Sequence, residues 1–441
     1  MPSTYLTRTM GTPTDATKQT LSVWVKLASS GDYKGLVSSQ YNSTAGGAGH
    51  FLGNSESIYS NWTYNGSANA ETRTTALGRD FSGWYHIVST QDASQSGTDK
   101  SKIWINGVLQ TSFVNDNRSN FSTHASWFAN GKSLQIGRKF DNTFYFDGIM
   151  SHLHLCDGYA YQASDFGSFD SATGEWKINT APNVNYGDEG FFILKDNAGT
   201  VDLSGNGNNF TVSGGTILSV KDCPSNVFAT LNPLATFANI TLTNGNNTYT
   251  LNAGTWESTP STLAVPSSGK YYAEFKWNAS STSAQYMMVG VDSPQLFSNW
   301  STQYPGYTSV GYAYGWDGDK RNNGNNSSYG AAWGATSIIG VAIDMDNKKL
   351  YFHKDGVYQN SGVPTSGSTG TGALSLTGDE YYLVVSGYKN SENPSIYANF
   401  GNGFFGTTAV SSAGTNASNI GVFEYDVPTG YTALSTKGLN E

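Results

Sequence analysis

Apolar and polar residues alternate with a period of two over many short stretches of this chain. Leu21-Ser22-Val23-Trp24-Val25-Lys26, Trp84-Tyr85-His86-Ile87-Val88, Lys102-Ile103-Trp104-Ile105, Leu134-Gln135-Ile136-Gly137 and the run from Gly148 to Leu155 carry the pattern in the first half. Successive strand side chains point to opposite faces, so this alternation predicts half-buried β-strands. Asn106-Gly107, directly after Ile105, predicts a type I′ hairpin turn. In the second half the run Ile338 to Val357 predicts two strands about a tight Asp346-Asn347 turn, with a second turn at Asp355-Gly356. Further strands are predicted at 271–277, 288–291, 309–312, 381–385 and 399–401. Short strands at this spacing predict antiparallel sandwiches.

Composition agrees with an all-β reading. Glycine accounts for 51 of 441 residues, aromatics for 14% and charged residues for 13%. Aromatic and β-branched side chains suit a pleated surface, whereas long helices need more Ala, Glu, Lys and Leu than this chain has. The aromatic content also argues against disorder. A net charge of −9 disfavours nucleic acid and anionic membrane surfaces as partners. No apolar run approaches the roughly 20 residues needed to span a bilayer, and residues 1–8 show no signal-peptide pattern. Cys156 and Cys223 are too few for a disulfide framework, so free thiols are expected, with a single bridge between them as the alternative.

The run Ile338 to Val357 closely resembles the central hairpin of a SPRY (B30.2-like) domain, and the strands predicted at 271–277, 288–291, 309–312, 381–385 and 399–401 resemble its other strands. Leu21 to Lys26, Trp84-Tyr85-His86, the Ile103-to-Val108 hairpin and Phe146-Asp147-Gly148 resemble a laminin-G-like, concanavalin A-like domain. Ser151-His152 stands where that family commonly has an acidic pair, which weakens the family's calcium chemistry as an expectation. Residues 165–233 include Gly174-Glu175-Trp176-Lys177 and Asp202-Leu203-Ser204-Gly205-Asn206-Gly207. With the closing segment 423–431, this series is similar to aquatic bacteriophage proteins that pair the two sandwiches. The expected fold is two concanavalin A-like antiparallel β-sandwiches in tandem. They are placed at 1–222 and 223–420, with a C-terminal segment 421–441 packing on the second domain or on a partner.

Catalytic constellations are sparse. The Glu-x-Asp-x-x-Glu arrangement of sandwich glucanases does not occur, and its nearest fragment, Glu424-Tyr425-Asp426, lacks the second Glu. There is no Gly-x-Ser-x-Gly elbow and no phosphate-binding glycine loop. His152, His154 and Cys156 alternate on one predicted strand, but same-face neighbours stand about 7 Å apart, too far for a zinc site from one strand alone. Asp141, Asp147 and Asp157 are calcium candidates near strand ends, and ordinary turn-forming carboxylates otherwise. No other cofactor is expected.

Binding residues concentrate in one stretch. Trp300, Tyr304, Tyr314, Trp316, Asp317, Asp319, Asn322 and Asn325 combine ring faces with directed hydrogen-bonding groups, which suits a glycan or a protein surface. By strand alternation, part of this set, Tyr314 included, can equally be core. A smaller candidate is Tyr59, Trp62 and Tyr64. The expected protein is a non-enzymatic phage virion component, assembled in the bacterial host cytoplasm. It would act as a tail fibre, receptor-binding or capsid-decorating adhesin. Expected partners are other virion proteins, a host-surface glycan or protein, and further copies of itself, with a trimer as the first guess. A secreted or cell-surface bacterial lectin and a glycan depolymerase are the alternatives.

Overall fold

The computed structural model describes residues 4–440 except 30, 32, 41–46, 53–56, 64–69, 123–129, 196–198, 279–284 and 295–302. The chain divides into two compact units, Met1–Ser219 and Val220–Glu441. The fold is nearly all-β, with antiparallel sheets in both units.

The first unit packs two sheets. One runs Phe113–Asp116, Thr72–Thr74, Tyr59–Thr63, Gly47–Leu52, Lys34–Gln40, Ser133–Ile136, Tyr5–Thr9, Thr211–Ser213. The other runs Phe191–Ile193, Gly148–Asp157, Lys18–Leu27, Tyr85–Asp92, Ser101–Ile105, Val108–Leu109. Leu21, Val23 and Val25 face the core with Ile87, Ile103 and Leu134, as their alternation predicts. The opposite face of the second sheet is covered as well. Phe166, Tyr159, Tyr161, Trp176 and Tyr186 pack on Val88, Trp104 and Cys156, so the strand Lys18–Leu27 is buried almost throughout rather than half-buried. Asn106 and Gly107 are both left-handed, as a type I′ turn demands.

The second unit repeats the plan with different covering. Its larger sheet runs Ile240–Thr243, Thr248–Leu251, Ser395–Asn399, Lys270–Trp277, Ile338–Asp344, Lys349–Lys354, Val357–Tyr358. The facing sheet runs Glu257–Pro260, Tyr382–Lys389, Gln285–Asp292, Tyr312–Gly315, Asp319–Asn322, Asn325–Ser328. Phe275, Ile339, Val341, Ile343, Val289 and Val385 fill the space between them. The hairpin expected to turn at Asp346-Asn347 closes through four residues, 345–348, and the left-handed residue is Lys348. Asp344 causes this by accepting the Asn347 backbone N–H at 3.0 Å and its side-chain amide at 2.9 Å.

Residues beyond the last long strand lie across the outer face of the larger sheet. Ile420, Phe423, Val427, Tyr431 and Ala433 pack on Tyr272, Ala342 and Tyr351, and Thr432–Ala433 adds a short parallel pairing to Lys270–Trp277. Segment 421–440 is thus built into the second unit. One buried carboxylate anchors it. Glu274 accepts the backbone N–H groups of Glu424 and Tyr425, each at 2.8 Å, and the Tyr272 hydroxyl at 2.9 Å.

Candidate ligand-binding site

Four strands of the smaller sheet in the second unit end at one rim, and each brings an aromatic residue there. Trp256 immediately precedes Glu257–Pro260, Tyr286 is the second residue of Gln285–Asp292, Trp316 directly follows Tyr312–Gly315, and Tyr388 is the penultimate residue of Tyr382–Lys389. Neighbouring strands run antiparallel, so starts and ends alternate along the same rim. Tyr286 and Trp316 stack with centroids 4.4 Å apart at 27°. Trp256 stands 5.9 Å from Trp316, 5.7 Å from Tyr388 and 5.4 Å from Tyr304, and Tyr286 pairs with Tyr388 at 5.8 Å. Tyr307, 46% exposed, extends the cluster from Tyr304. Every other ring is half-buried, with one part packed and another open to solvent.

Charge is concentrated beside Trp316. The Arg321 guanidinium lies 5.6 Å from its ring, donates to Asp317 and sits 3.8 Å from Asp319. Such a cation over an aromatic face fixes the ring's orientation while its partners supply acceptors.

The structure sorts the residues expected from the sequence. Tyr304, Trp316, Asp317 and Asp319 gather at this rim. Tyr314 does not. It is fully buried among Tyr329, Trp333 and Phe352, and its hydroxyl donates to the Ala331 carbonyl. Its strand turns that position toward the core, so it is a packing residue rather than a ligand contact. Asn322 spends its amide on the Ser309 and Gly311 carbonyls, at 3.1 and 2.7 Å, and so ties a loop down. Asn325 is exposed on the edge strand, its amide 3.0 Å from the Asn323 carbonyl. Trp300 lies outside the described residues.

In the first unit Tyr59 is also buried, and its hydroxyl pairs with His50 Nδ1 in the core. That removes it from the smaller candidate surface. The Trp62 side chain and Tyr64 lie outside the described residues. The three calcium candidates are held separately. Asp141 pairs with Lys139 and Thr143 in an exposed turn, and Asp147 accepts from Ser29 at 2.8 Å. Asp157 is buried and accepts the Thr14 and Glu189 backbone N–H groups. Among the described residues no cluster of three or more His, Cys, Asp or Glu is placed to hold a metal ion.

Several other ionisable groups are held by packing and local hydrogen bonds. His154 bonds the Tyr186 hydroxyl at 2.8 Å, and His86 accepts the Trp176 indole N–H at 2.9 Å while stacking on Trp24. Burial pushes both imidazoles down, His86 to about 3. Burial pushes the Cys156 thiol up, and both cysteines are free. Glu424 and Asp426 accept from Ser411 and Thr415, tying turns of the C-terminal segment.

Trp256, Tyr286 and Tyr388 are the rim residues that the sequence reading missed. Each stands alone in its own stretch, far from the aromatic-rich run. What they share, an aromatic at or beside a strand end, shows only once the strands and their order are known, and the strand Glu257–Pro260 beside Trp256 is not one the sequence predicts.

Residues 3–164 match a laminin G-type family model described as the Concanavalin A-like lectin/glucanases superfamily, and residues 270–386 match the SPRY domain model. A 112-residue stretch is 33% identical to the ATP-dependent RNA helicase Ddx1 of Drosophila melanogaster, covering 24% of this chain and 13% of the helicase. The chain therefore spans only a small part of that curated relative. Among solved structures, it is similar to the SPRY domain of human HERC1, at 17% identity and a TM-score of 0.31, over 38% of this chain and 96% of that one. It is also similar to Domain 4 of AbnA, an extracellular arabinanase from Geobacillus stearothermophilus solved with arabinotriose, at 17% identity and a TM-score of 0.27, over 34% of this chain and 65% of that one. The chain thus carries a concanavalin A-like and a SPRY β-sandwich, domain types that suggest a role in binding.

Proposed function

We propose that this chain is a non-catalytic bacteriophage virion protein, a tail-fibre, receptor-binding or capsid-decorating adhesin, that engages a host-surface glycan or protein. The observation that carries the binding part is the aromatic rim, where four strands deliver Trp256, Tyr286, Trp316 and Tyr388 to one end of a sheet. Part-exposed rings held by a rigid scaffold lose little conformational freedom on binding, and Trp and Tyr are the residues on which binding energy concentrates. The viral part is supported by the resemblance of residues 165–233 and 423–431 to aquatic phage proteins that join the same two sandwiches. In this reading the protein assembles with other virion components in the bacterial cytoplasm and repeats with the particle's symmetry, as a trimer in the simplest case.

The test is binding of labelled protein to candidate host cells alongside competition with phage adsorption. Saturable binding that blocks adsorption and weakens with Trp316→Ala supports the receptor-binding role. Absence of cell binding, with the chain present in purified virions, leaves decoration. Release of reducing ends from host glycan would refute the non-catalytic reading.

A further inference from the structure

The charged groups at the rim narrow the chemistry of its ligand, and this inference rests on the rim being the binding surface. The Arg321 guanidinium lies beside the Trp316 ring, and its side chain is only 3% exposed. It is neutralised before any ligand arrives, because it donates to Asp317 and lies 3.8 Å from Asp319. Those two carboxylates are about a third exposed, 33% and 34%. Within this triad two acids and one base leave a charge of −1. Lys389, on the strand that carries Tyr388, has its ammonium 2.7 Å from the Asn252 side-chain oxygen. Lys320 precedes Arg321 on its strand and so projects to the opposite face.

Unfilled hydrogen-bonding capacity open to a ligand remains on the carboxylate side of the ion pair. A carboxylate has about four lone-pair directions. Asp317 uses its oxygens on Arg321 and on the Asp319 backbone N–H at 3.2 Å. Arg321 Nη1 is buried with no hydrogen-bond acceptor. A ligand anion would meet the two part-exposed carboxylates, while the guanidinium that pairs with them is buried. Hydroxyls can donate to both part-exposed carboxylates without adding charge, and a vicinal diol offers two such donors at once. The C–H face of a pyranose then has the part-exposed Trp256 and Trp316 rings, 5.9 Å apart, on which to lie. We infer that the rim binds an uncharged glycan, built of neutral hydroxyl-bearing pyranose units, and discriminates against acidic polysaccharide.

The experiment uses the full chain, unmodified and as Trp316→Ala, Trp256→Ala and Asp317→Asn, each confirmed folded by its unfolding midpoint. Affinity electrophoresis is run in gels containing neutral glucan, galactan, mannan or arabinan, and in gels containing polyuronate. In parallel, host cells are offered after mild periodate, which cleaves vicinal diols, or after protease shaving. The expected result is retardation by a neutral polysaccharide and not by polyuronate. Trp316→Ala and Trp256→Ala should cut affinity by about tenfold or more, and Asp317→Asn by a few-fold. Cell binding should be lost after periodate and kept after protease.

Salt-sensitive retardation by polyuronate would overturn the inference. So would cell binding that protease abolishes and periodate spares while Trp316→Ala still weakens it; the rim would then stand as the site and its ligand would be a protein. Full binding by folded Trp316→Ala and Trp256→Ala chains would instead sink the rim itself.

Discussion

Gly340 shows how closely the second unit is fitted around single side chains. A Cβ at that position would lie 1.8 Å from His353 Nε2, a collision with a ring held on both sides by hydrogen bonds. Gly340→Ala should therefore destabilise the second unit by about 1–3 kcal/mol through overpacking, read as a lower urea midpoint. Tyr314 and Trp316 make a second contrast at this scale. They lie two residues apart in one aromatic run, yet Tyr314 is fully buried and Trp316 half-buried. Tyr314→Phe leaves the Ala331 carbonyl without its hydroxyl donor and should cost about 1 kcal/mol of stability with unchanged ligand affinity. Trp316→Ala should weaken binding, and because the half-buried ring also packs on the core it should lower stability too, so affinity is compared on folded protein. Equal losses of binding in both variants would contradict the assignment.

At the scale of elements, the C-terminal segment and Glu274 form one device. The donors run toward the carboxylate. The Gly356 N–H bonds His353 Nδ1 at 3.2 Å, so His353 Nε2 carries the proton and donates to the Tyr272 oxygen at 2.6 Å. The Tyr272 proton then goes to Glu274. Burial nevertheless raises the Glu274 carboxyl to about 7, while its hydrogen bonds from Glu424, Tyr425, Tyr272 and Asn399 pull the other way. A raised acid binds its proton more tightly in the folded state. Its contribution is complete below the ordinary carboxyl range near 4.5 and is lost as pH rises through about 7.

His353 opposes this. Burial lowers its imidazole to about 3, so its contribution is lost as pH falls below 6.5. The two effects are separated by comparing the native chain with Glu274→Gln. The stability difference between them should change by up to about 3 kcal/mol between pH 8 and pH 5, in favour of the native chain at pH 5. Denaturant titrations at the two pH values measure it, and a difference independent of pH would refute the assignment. Removing residues 401–441 should have a larger effect. It uncovers Tyr272, Ala342 and Tyr351 and removes both backbone donors from the buried carboxylate, so the shortened chain should lose cooperative unfolding of its second unit.

For the whole molecule, each unit closes its own core between its own sheets. Separately produced 1–219 and 220–441 should each unfold cooperatively. Rim binding should be retained by the second fragment alone, and a fragment that stays molten would show that its core depends on the other unit. The matched SPRY stretch ends at residue 386, but the folded second unit runs on through the covering segment, because the outer face of its larger sheet is apolar and must be buried.

Much of this was legible along the chain. Period-two alternation at 21–26, 103–105 and 338–343 gave strand positions and core faces, since side-chain direction in a strand is a local property. The Asn106-Gly107 and Asp355-Gly356 turns were equally local, and both pairs are left-handed. The aromatic run around Trp316 pointed to the right region of the second half. Local pattern could not say that the face of Lys18–Leu27 turned from the core is covered, that Tyr314 and Tyr59 are buried, or that Trp256, Tyr286 and Tyr388 join Trp316. Those depend on which strands become neighbours and what lies over each sheet. Sequence by itself determined the strongly alternating strands, their core-facing positions and the two sandwich types. Only the tertiary structure decided which aromatics remain at the surface together, because strand order brings distant residues to one rim and burial removes near ones from it.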